Sequence, residues 1–325
     1  MDNPVLDNPY YIAAQKLGLK CQIILPEHQY FQIQQPETGK QLLVMYASIS
    51  ANSQVSYHTA RNKLVTHKLV RQAGLPTPAY VCLSKDDFVS NNWASKLGQI
   101  KFPWVVKPLS ELQARHVKCN ITSLSEAEIS LKQLFQTKHR ALVEQQVPGT
   151  DYRILVFDDQ VISVLRRIPA HVVGDGQSTI QQLVDQKNLQ LSADPHGHAI
   201  VLDDEVDRYL SLHHYQLDSV PQAGQRVKLR RQCTAGIGGE TELVKLSNIH
   251  PDNLELAKQA ARSVELRLAG IDFITPDITQ SWHDNQAVIN EVNSAPDIKI
   301  HYRQEIQQSL SPTSPKKILQ LYFQI

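Results

Sequence analysis

Three residues within one stretch, Gly270 to Pro296 (GIDFITPDITQSWHDNQAVINEVNSAP), have the types and spacing to hold a hard cation. Asp272 lies in a short apolar run, Ile271 to Thr275, while Glu291 and Asn293 lie in a second, Ala287 to Asn293. Side chains alternate along a strand, so Glu291 and Asn293 share a face with Ile289, and Val288, Asn290 and Val292 take the other. If the two runs pair as a hairpin, Asp272 joins them. Two carboxylates and an amide oxygen then converge, the donor set Mg²⁺ takes when phosphate oxygens and water complete its octahedron. The competing reading is a solvated hairpin face that is acidic by composition.

Other residues could meet the anion that such a cation accompanies. Lys107 stands near the end of an apolar run, FPWVVKPL. A lysine on a buried strand is costly to desolvate unless an anion meets it, so it is either a phosphate contact or an edge lysine that snorkels to water. Arg226, Lys228 and Arg230 alternate in RVKLRR, which makes one strand face either an anion clamp or a solvated sheet surface. The histidines His196, His198, His213 and His214 lack the acidic or cysteine partners that would complete a zinc set at standard spacing. No GxGxxG or P-loop pattern occurs, so a Rossmann or Walker site is not supported.

A chain of 325 residues suits two or three packed lobes rather than one small core. Its net charge of +1 gives no electrostatic reason to expect nucleic acid or an anionic membrane as a partner. The four cysteines are scattered, and no secretory signal or membrane span is present, so a cytoplasmic protein is expected. The elements that must position the candidate residues are legible in the apolar periodicity. Pro9 to Gly18 reads as a short helix and Lys20 to Leu25 as a strand, followed by alternating runs at Tyr30 to Ile33 and Gln41 to Tyr46. Ser56 to Ala73 reads as one helix, Asp86 to Leu97 as an amphipathic segment, and Ser123 to Phe135 as a helix opened by Ser. YRILVF and QVISVLRR read as paired strands, and Ser178 as the N-cap of a helix from Thr179 to about Lys187. A short helix is expected around Asp204 to Leu212. Pro251 to Leu268 reads as a strong helix with Pro251 in its first turn and Gly270 at its C-cap.

The runs LVEQQVPGTDYRILVFDDQVISVLRRIPAHVVGDGQSTIQQLV, LDSVPQAGQRVKLR, IHPDNLELAKQAARSVELRLAGIDFITPDIT and INEVNSAP resemble the ATP-grasp module of cyanophycin synthetase and of the bifunctional glutathione synthetases. The resemblance covers about Lys63 to Phe323. It implies an α+β class: two α+β lobes that grip ATP and Mg²⁺ between them, over residues 59–325 with a lid lobe at about 101–150, preceded by a small α/β domain at residues 1–58. It implies a carboxylate–amine ligase in which a carboxylate takes the γ-phosphoryl group of ATP and an amine then displaces phosphate, with amino acids or short peptides as substrates and two Mg²⁺ ions. Lys63 and Lys107 resemble the family's phosphate lysines. The strand Glu144, Gln145, Gln146 and Val147 resembles the one whose backbone reads adenine, and Asp151 resembles the ribose acid. Asp272, Glu291 and Asn293 resemble the metal ligands, and Arg226 and Arg230 are candidates to hold the acylphosphate. A homo-oligomer is left open.

One part departs from the family. Where it has a glycine-rich loop of the form DGNHGRG, this chain has Ser110, Glu111, Leu112, Gln113, Ala114, Arg115 and His116. Glycine serves where backbone must approach a ligand or take positive φ, so both freedoms are lost at three places. The family's second helix lysine is His67, and the glycine after NxAP is Asp297. Two expectations follow: a ligase in which Arg115 or His116 takes over the γ-phosphate contact, or a non-catalytic nucleotide-binding or partner subunit that keeps the fold.

Overall fold

The computed structural model of the chain describes residues 3–110, 116–192, 198–308 and 313–325. It divides into two compact units, Met1–Pro78 with Val147–Arg166 and Leu243–Ile325, and Ala79–Gln146 with Arg167–Glu242.

In the first unit a five-stranded sheet runs in the order Glu240–Val244, Gln160–Ile168, Thr150–Phe157, Leu268–Thr275, Val288–Asn293. Strand alternation divides its side chains between two cores. Tyr152, Ile154, Val156, Ala269, Ile271 and Phe273 pack with Leu256, Ala257, Ala260 and Ala261 of the helix Pro251–Ser263. Leu155, Phe157 and Leu268 face the other way, into a core shared with Phe31, Ile33, Leu42 and Val44 of the N-terminal region and with Ile318, Leu319 and Phe323. The N-terminal strands Lys20–Leu25, Tyr30–Gln34, Gln41–Met45 and Ser48–Ile49 form an antiparallel sheet in sequence order. Asp272, Gly270 and Arg153 fall by alternation on the face of Leu155 and Leu268.

Three local readings change in this unit. The helix expected over Ser56 to Ala73 is two, Gln54–Arg61 and Lys63–Gln72. Asn62 leaves helical geometry (φ −100°, ψ 101°), and its side chain caps the second helix by accepting from the Val65 amide. Pro251 does open its helix, but the helix ends at Ser263 because Glu265 takes φ +56°. Leu268 therefore begins the next strand and Gly270 lies inside it, not at a C-cap. In the hairpin a bulge between Asp272 and Phe273 skips Asn290, so Ile289 and Val292 both enter the helix-side core. Ile289 consequently does not share a face with Glu291, because strict alternation fails at the extra residue.

The second unit carries an antiparallel sheet in the order Tyr80–Ser84, Arg140–Gln145, Trp104–Pro108, Lys118–Ile121. Leu131 and Leu134 of the helix Leu124–Leu134 pack on Trp104, Val106, Ile121 and Val143. Ser123 caps that helix as expected, accepting from the Glu126 amide. The amphipathic segment is two short helices, Lys85–Val89 and Trp93–Leu97. The rest of the unit pairs His171–Val173 with Arg226–Lys228 and packs the helices Ile180–Ser192 and Asp204–Leu212 on a core of Val172, Leu183, Val206, Leu210 and Val227. Thr179, not Ser178, caps the first of these helices. Thr179 Oγ1 accepts from the Gln182 amide while Gln182 Oε1 accepts from Thr179 N–H, and Ser178 Oγ is drawn instead to Asp175. Among the described residues no helix is long and apolar enough to cross a membrane, and no cysteine forms a disulfide.

Candidate functional site

The hairpin forms, and its register sets Asp272 opposite Glu291 and Gly270 opposite Asn293. On its other side the Asp272 strand pairs with Thr150–Phe157, in a register that puts Arg153 beside Asp272 and Asp151 beside Ile274. Arg153, Asp272 and Glu291 thus form a row across three strands. Arg153 grips the aspartate with two hydrogen bonds, Nε to Oδ1 at 2.5 Å and a terminal nitrogen to Oδ2 at 3.3 Å. Lys63, the first residue of its helix, places Nζ 3.1 Å from Glu291 Oε1. The Asn293 amide nitrogen donates to the Gly270 carbonyl at 3.2 Å, so Oδ1 is the atom with a ligand's chemistry.

Gly270 makes room for this arrangement. A Cβ there would stand 3.1 Å from the Arg153 guanidinium and 2.9 Å from Pro296 Cβ, so a side chain would force Arg153 and Pro296 to shift. Behind the row, on the strand Gln160–Ile168, Ser163 Oγ lies 2.9 Å from Nδ1 of the buried His301. Burial first, and the Arg153 charge second, push the His301 imidazole down to about 3 and hold it neutral.

The trio fits a hard divalent cation. Its donors are oxygens only, and each carboxylate already draws a cationic side chain, Arg153 or Lys63. No zinc-type set accompanies it: among the described residues no group of three or more His, Cys, Asp or Glu side chains could hold a metal ion. His213 instead packs on the Tyr209 ring, with centroids 4.6 Å apart. Lys63, expected as a phosphate contact, is found on the carboxylate of Glu291, itself a candidate ligand.

In the second unit Lys107 and Glu144 meet as an ion pair, Nζ to Oε2 at 2.8 Å, with side chains only 4% and 3% exposed. Lys107 is therefore a buried lysine met by an anion, and the anion is part of the chain. The strand expected to read adenine has two of its amides committed. Gln145 N–H donates to the Ala79 carbonyl and Gln146 N–H to the Pro103 carbonyl, each at 2.8 Å. The Gln146 side chain is held by Asn120 at 2.8 and 2.6 Å.

The arginine clamp does not form as read. Arg226 is exposed on a three-residue strand, but that strand ends at Lys228 and the alternation ends with it. Arg230 lies beyond the strand end, 2% exposed, with its guanidinium on the Asp203 carboxylate at 3.2 and 3.4 Å and on the Val201 carbonyl. Arg115 lies outside the described residues. His116 is described, and its φ of +56° lies in the left-handed region that favours glycine. Arg153 was not among the sequence candidates: it lies two positions after Asp151 in DYRILV, on the same strand face, but its partner is 119 residues away.

Residues 69–191 match the family model of the D-ala D-ala ligase C-terminus. The chain is 34% identical over 250 residues to the cyanophycin synthetase of Trichormus variabilis, covering 74% of this chain and 27% of that protein. It is 32% identical over 264 residues to the glutathione biosynthesis bifunctional protein GshAB of Streptococcus agalactiae, covering 77% of this chain and 34% of that one. A bifunctional glutathione synthetase from Pasteurella multocida shares the fold, with a TM-score of 0.63 at 22% identity over 96% of this chain and 44% of that chain. The chain belongs to the ATP-grasp family. It is homologous to cyanophycin synthetase and GshAB, and it spans roughly a quarter to a third of the length of these curated relatives.

Proposed function

We propose that this chain is an ATP- and Mg²⁺-dependent carboxylate–amine ligase that forms an amide or peptide bond between amino acids or short peptides. The observation that carries this reading is the row Arg153, Asp272, Glu291 with Asn293 beside it, two acids and an amide oxygen set by strand register. In such a reaction a carboxylate oxygen of the substrate attacks the γ-phosphorus, the bond to the ADP oxygen breaks, and an acylphosphate results. The amine then attacks the acyl carbon, phosphate leaves, and the amine gives up a proton. Mg²⁺, when bound, neutralises phosphate charge.

The chain's own part is positioning and charge. Asp272, Glu291 and Asn293 would hold the metal, with Arg153 fixing the aspartate in plane. Lys63, whose ammonium meets the Glu291 carboxylate in the structure, would be a cation available to phosphate oxygens beside that metal. Lys107, its ammonium held by Glu144, is the second lysine assigned to phosphate charge. Four scattered cysteines, none in a disulfide, favour a cytoplasmic setting.

A second reading, a non-catalytic nucleotide-binding subunit, draws support from the glycine-free stretch Ser110 to His116. Calorimetry with ATP separates the metal assignment from both readings. Glu291→Ala abolishes the Mg²⁺-dependent part of nucleotide affinity if the hairpin holds the metal; equal MgATP affinity in the two proteins rejects the assignment.

A further inference from the structure

The Asn52 side chain makes four hydrogen bonds, and they go to backbone groups at the base of the hairpin that carries Asp272, Glu291 and Asn293. Its Nδ2 donates to the carbonyls of Leu268 (2.8 Å) and Ser294 (3.0 Å). Its Oδ1 accepts from the amides of Arg267 and Leu268, both at 2.9 Å. Two donors and two lone pairs are the full capacity of a carboxamide. The orientation is fixed by the partners, since turning the amide over would set N–H against N–H and oxygen against oxygen.

Leu268 offers both its N–H and its C=O to this one side chain. In an antiparallel ladder a residue's two groups face the same neighbour, and here the neighbour strand has run out. Pairing ends at Gly270 with Asn293, and the chain that would oppose Leu268 continues through Ala295 into Pro296, which has no N–H to give. Asn52 therefore does for Leu268 what a strand residue would do, and its bond to Ser294 ties the same amide to the opposing strand.

That tie bears on the ligands because few pairs hold their register. On their side of the bulge the ladder has only Gly270 with Asn293, Ile271 with Val292 and Asp272 with Glu291. A slip of one residue would turn Glu291 and Asn293 to the core face. The segment from Asn52 to Lys63 is fastened at both ends of this stretch. Asn52 holds Ser294 at its start, the Tyr57 carbonyl accepts from Ser294 Oγ at 3.3 Å, and Lys63 holds Glu291 at its end.

We propose that Asn52 is a positioning residue for the divalent cation: its carboxamide closes the hairpin ladder and fixes the register of Asp272, Glu291 and Asn293. The inference rests on the metal reading above. The test is Mn²⁺ binding by electron paramagnetic resonance, with a non-hydrolysable ATP analogue present, on the full chain and on Asn52→Ala, Asn52→Asp and Glu291→Ala. Glu291→Ala loses the ion. Asn52→Ala binds it about ten- to a hundredfold more weakly, the usual cost of removing a support behind metal ligands, while analogue affinity without metal is unchanged. Asn52→Asp keeps the acceptor toward Arg267 and Leu268 but sets its second oxygen against two carbonyls, so it is weakened as well. Wild-type Mn²⁺ affinity in Asn52→Ala, alongside lost binding in Glu291→Ala, overturns the inference. If Asn52→Ala does not fold, Asn52→Asp decides, with unchanged affinity overturning the role and a tenfold or larger loss supporting it. A wild-type protein that takes up no Mn²⁺ rejects the metal reading itself, and the inference falls with it.

Discussion

Lys107 and Glu144 form a nearly dry ion pair at 2.8 Å on adjacent strands, where Lys107 stands beside Leu142 and Glu144 beside Val105 in the ladder. Removing one partner leaves the other charge buried without this ion pair. Each of Lys107→Ala and Glu144→Ala should destabilise the protein by about 3–5 kcal/mol. The double change, Lys107→Ala with Glu144→Ala, should cost clearly less than the sum of the two. Thermal unfolding of the four proteins measures this, and additive losses would mean that the two charges do not support one another.

Gly270 is a test of the row across the sheet. Gly270→Ala sets a methyl group against Arg153 and Pro296 at contacts of 2.9–3.1 Å, and overpacking of this kind costs about 1–3 kcal/mol. It should also detach Arg153 from Asp272. Denaturant unfolding gives the first effect, and weaker MgATP binding gives the second. Unchanged values in both would show that the strand absorbs the methyl without moving Arg153.

His301 makes stability depend on pH. Its imidazole is held neutral in the fold, pushed from an ordinary 6.5 to about 3 by burial and by the Arg153 charge. The unfolded chain therefore takes up the proton first. The neutral histidine's contribution is intact above about pH 6.5 and falls as pH drops toward 3, at up to about 1.4 kcal/mol per pH unit. His301→Asn, which can still meet Ser163, should flatten the Tm profile over that window. An equally steep acid loss in the variant would assign it to other groups.

What was legible in the sequence was whatever a local period encodes. The two runs of the hairpin, the Ser123 cap, the Pro251 start and the strand under Lys107 all follow from alternation or from cap chemistry. Arg153 and Asn52 were not legible in the same way. Each acts through a partner more than 100 residues away, Asp272 or Leu268, and strand register over such a separation leaves no local pattern. The bulge at Asn290 reversed the reading of Ile289, because one extra residue changes every face beyond it. Arg230 misled for a related reason: its alternation with Arg226 continues in sequence past the point where the strand stops.

His116 isolates the altered loop. An L-residue at φ +56° carries strain that glycine does not, so His116→Gly should leave stability unchanged or raise it by up to about 1 kcal/mol. Glycines restored together at Glu111, Ala114 and His116 should raise phosphate release if the loop limits turnover. Destabilisation by more than 1 kcal/mol in the single variant would show that the imidazole's own contacts outweigh the strain.

The most direct measurement of the ligase assignment is phosphate release from ATP, with Mg²⁺, across a panel of amino acids and short peptides supplied as paired carboxylate and amine donors. The account predicts release that requires both donors, yields ADP and an amide in equal amounts, and disappears in Glu291→Ala. Release that is absent for every pair, or that persists undiminished in Glu291→Ala, would contradict it.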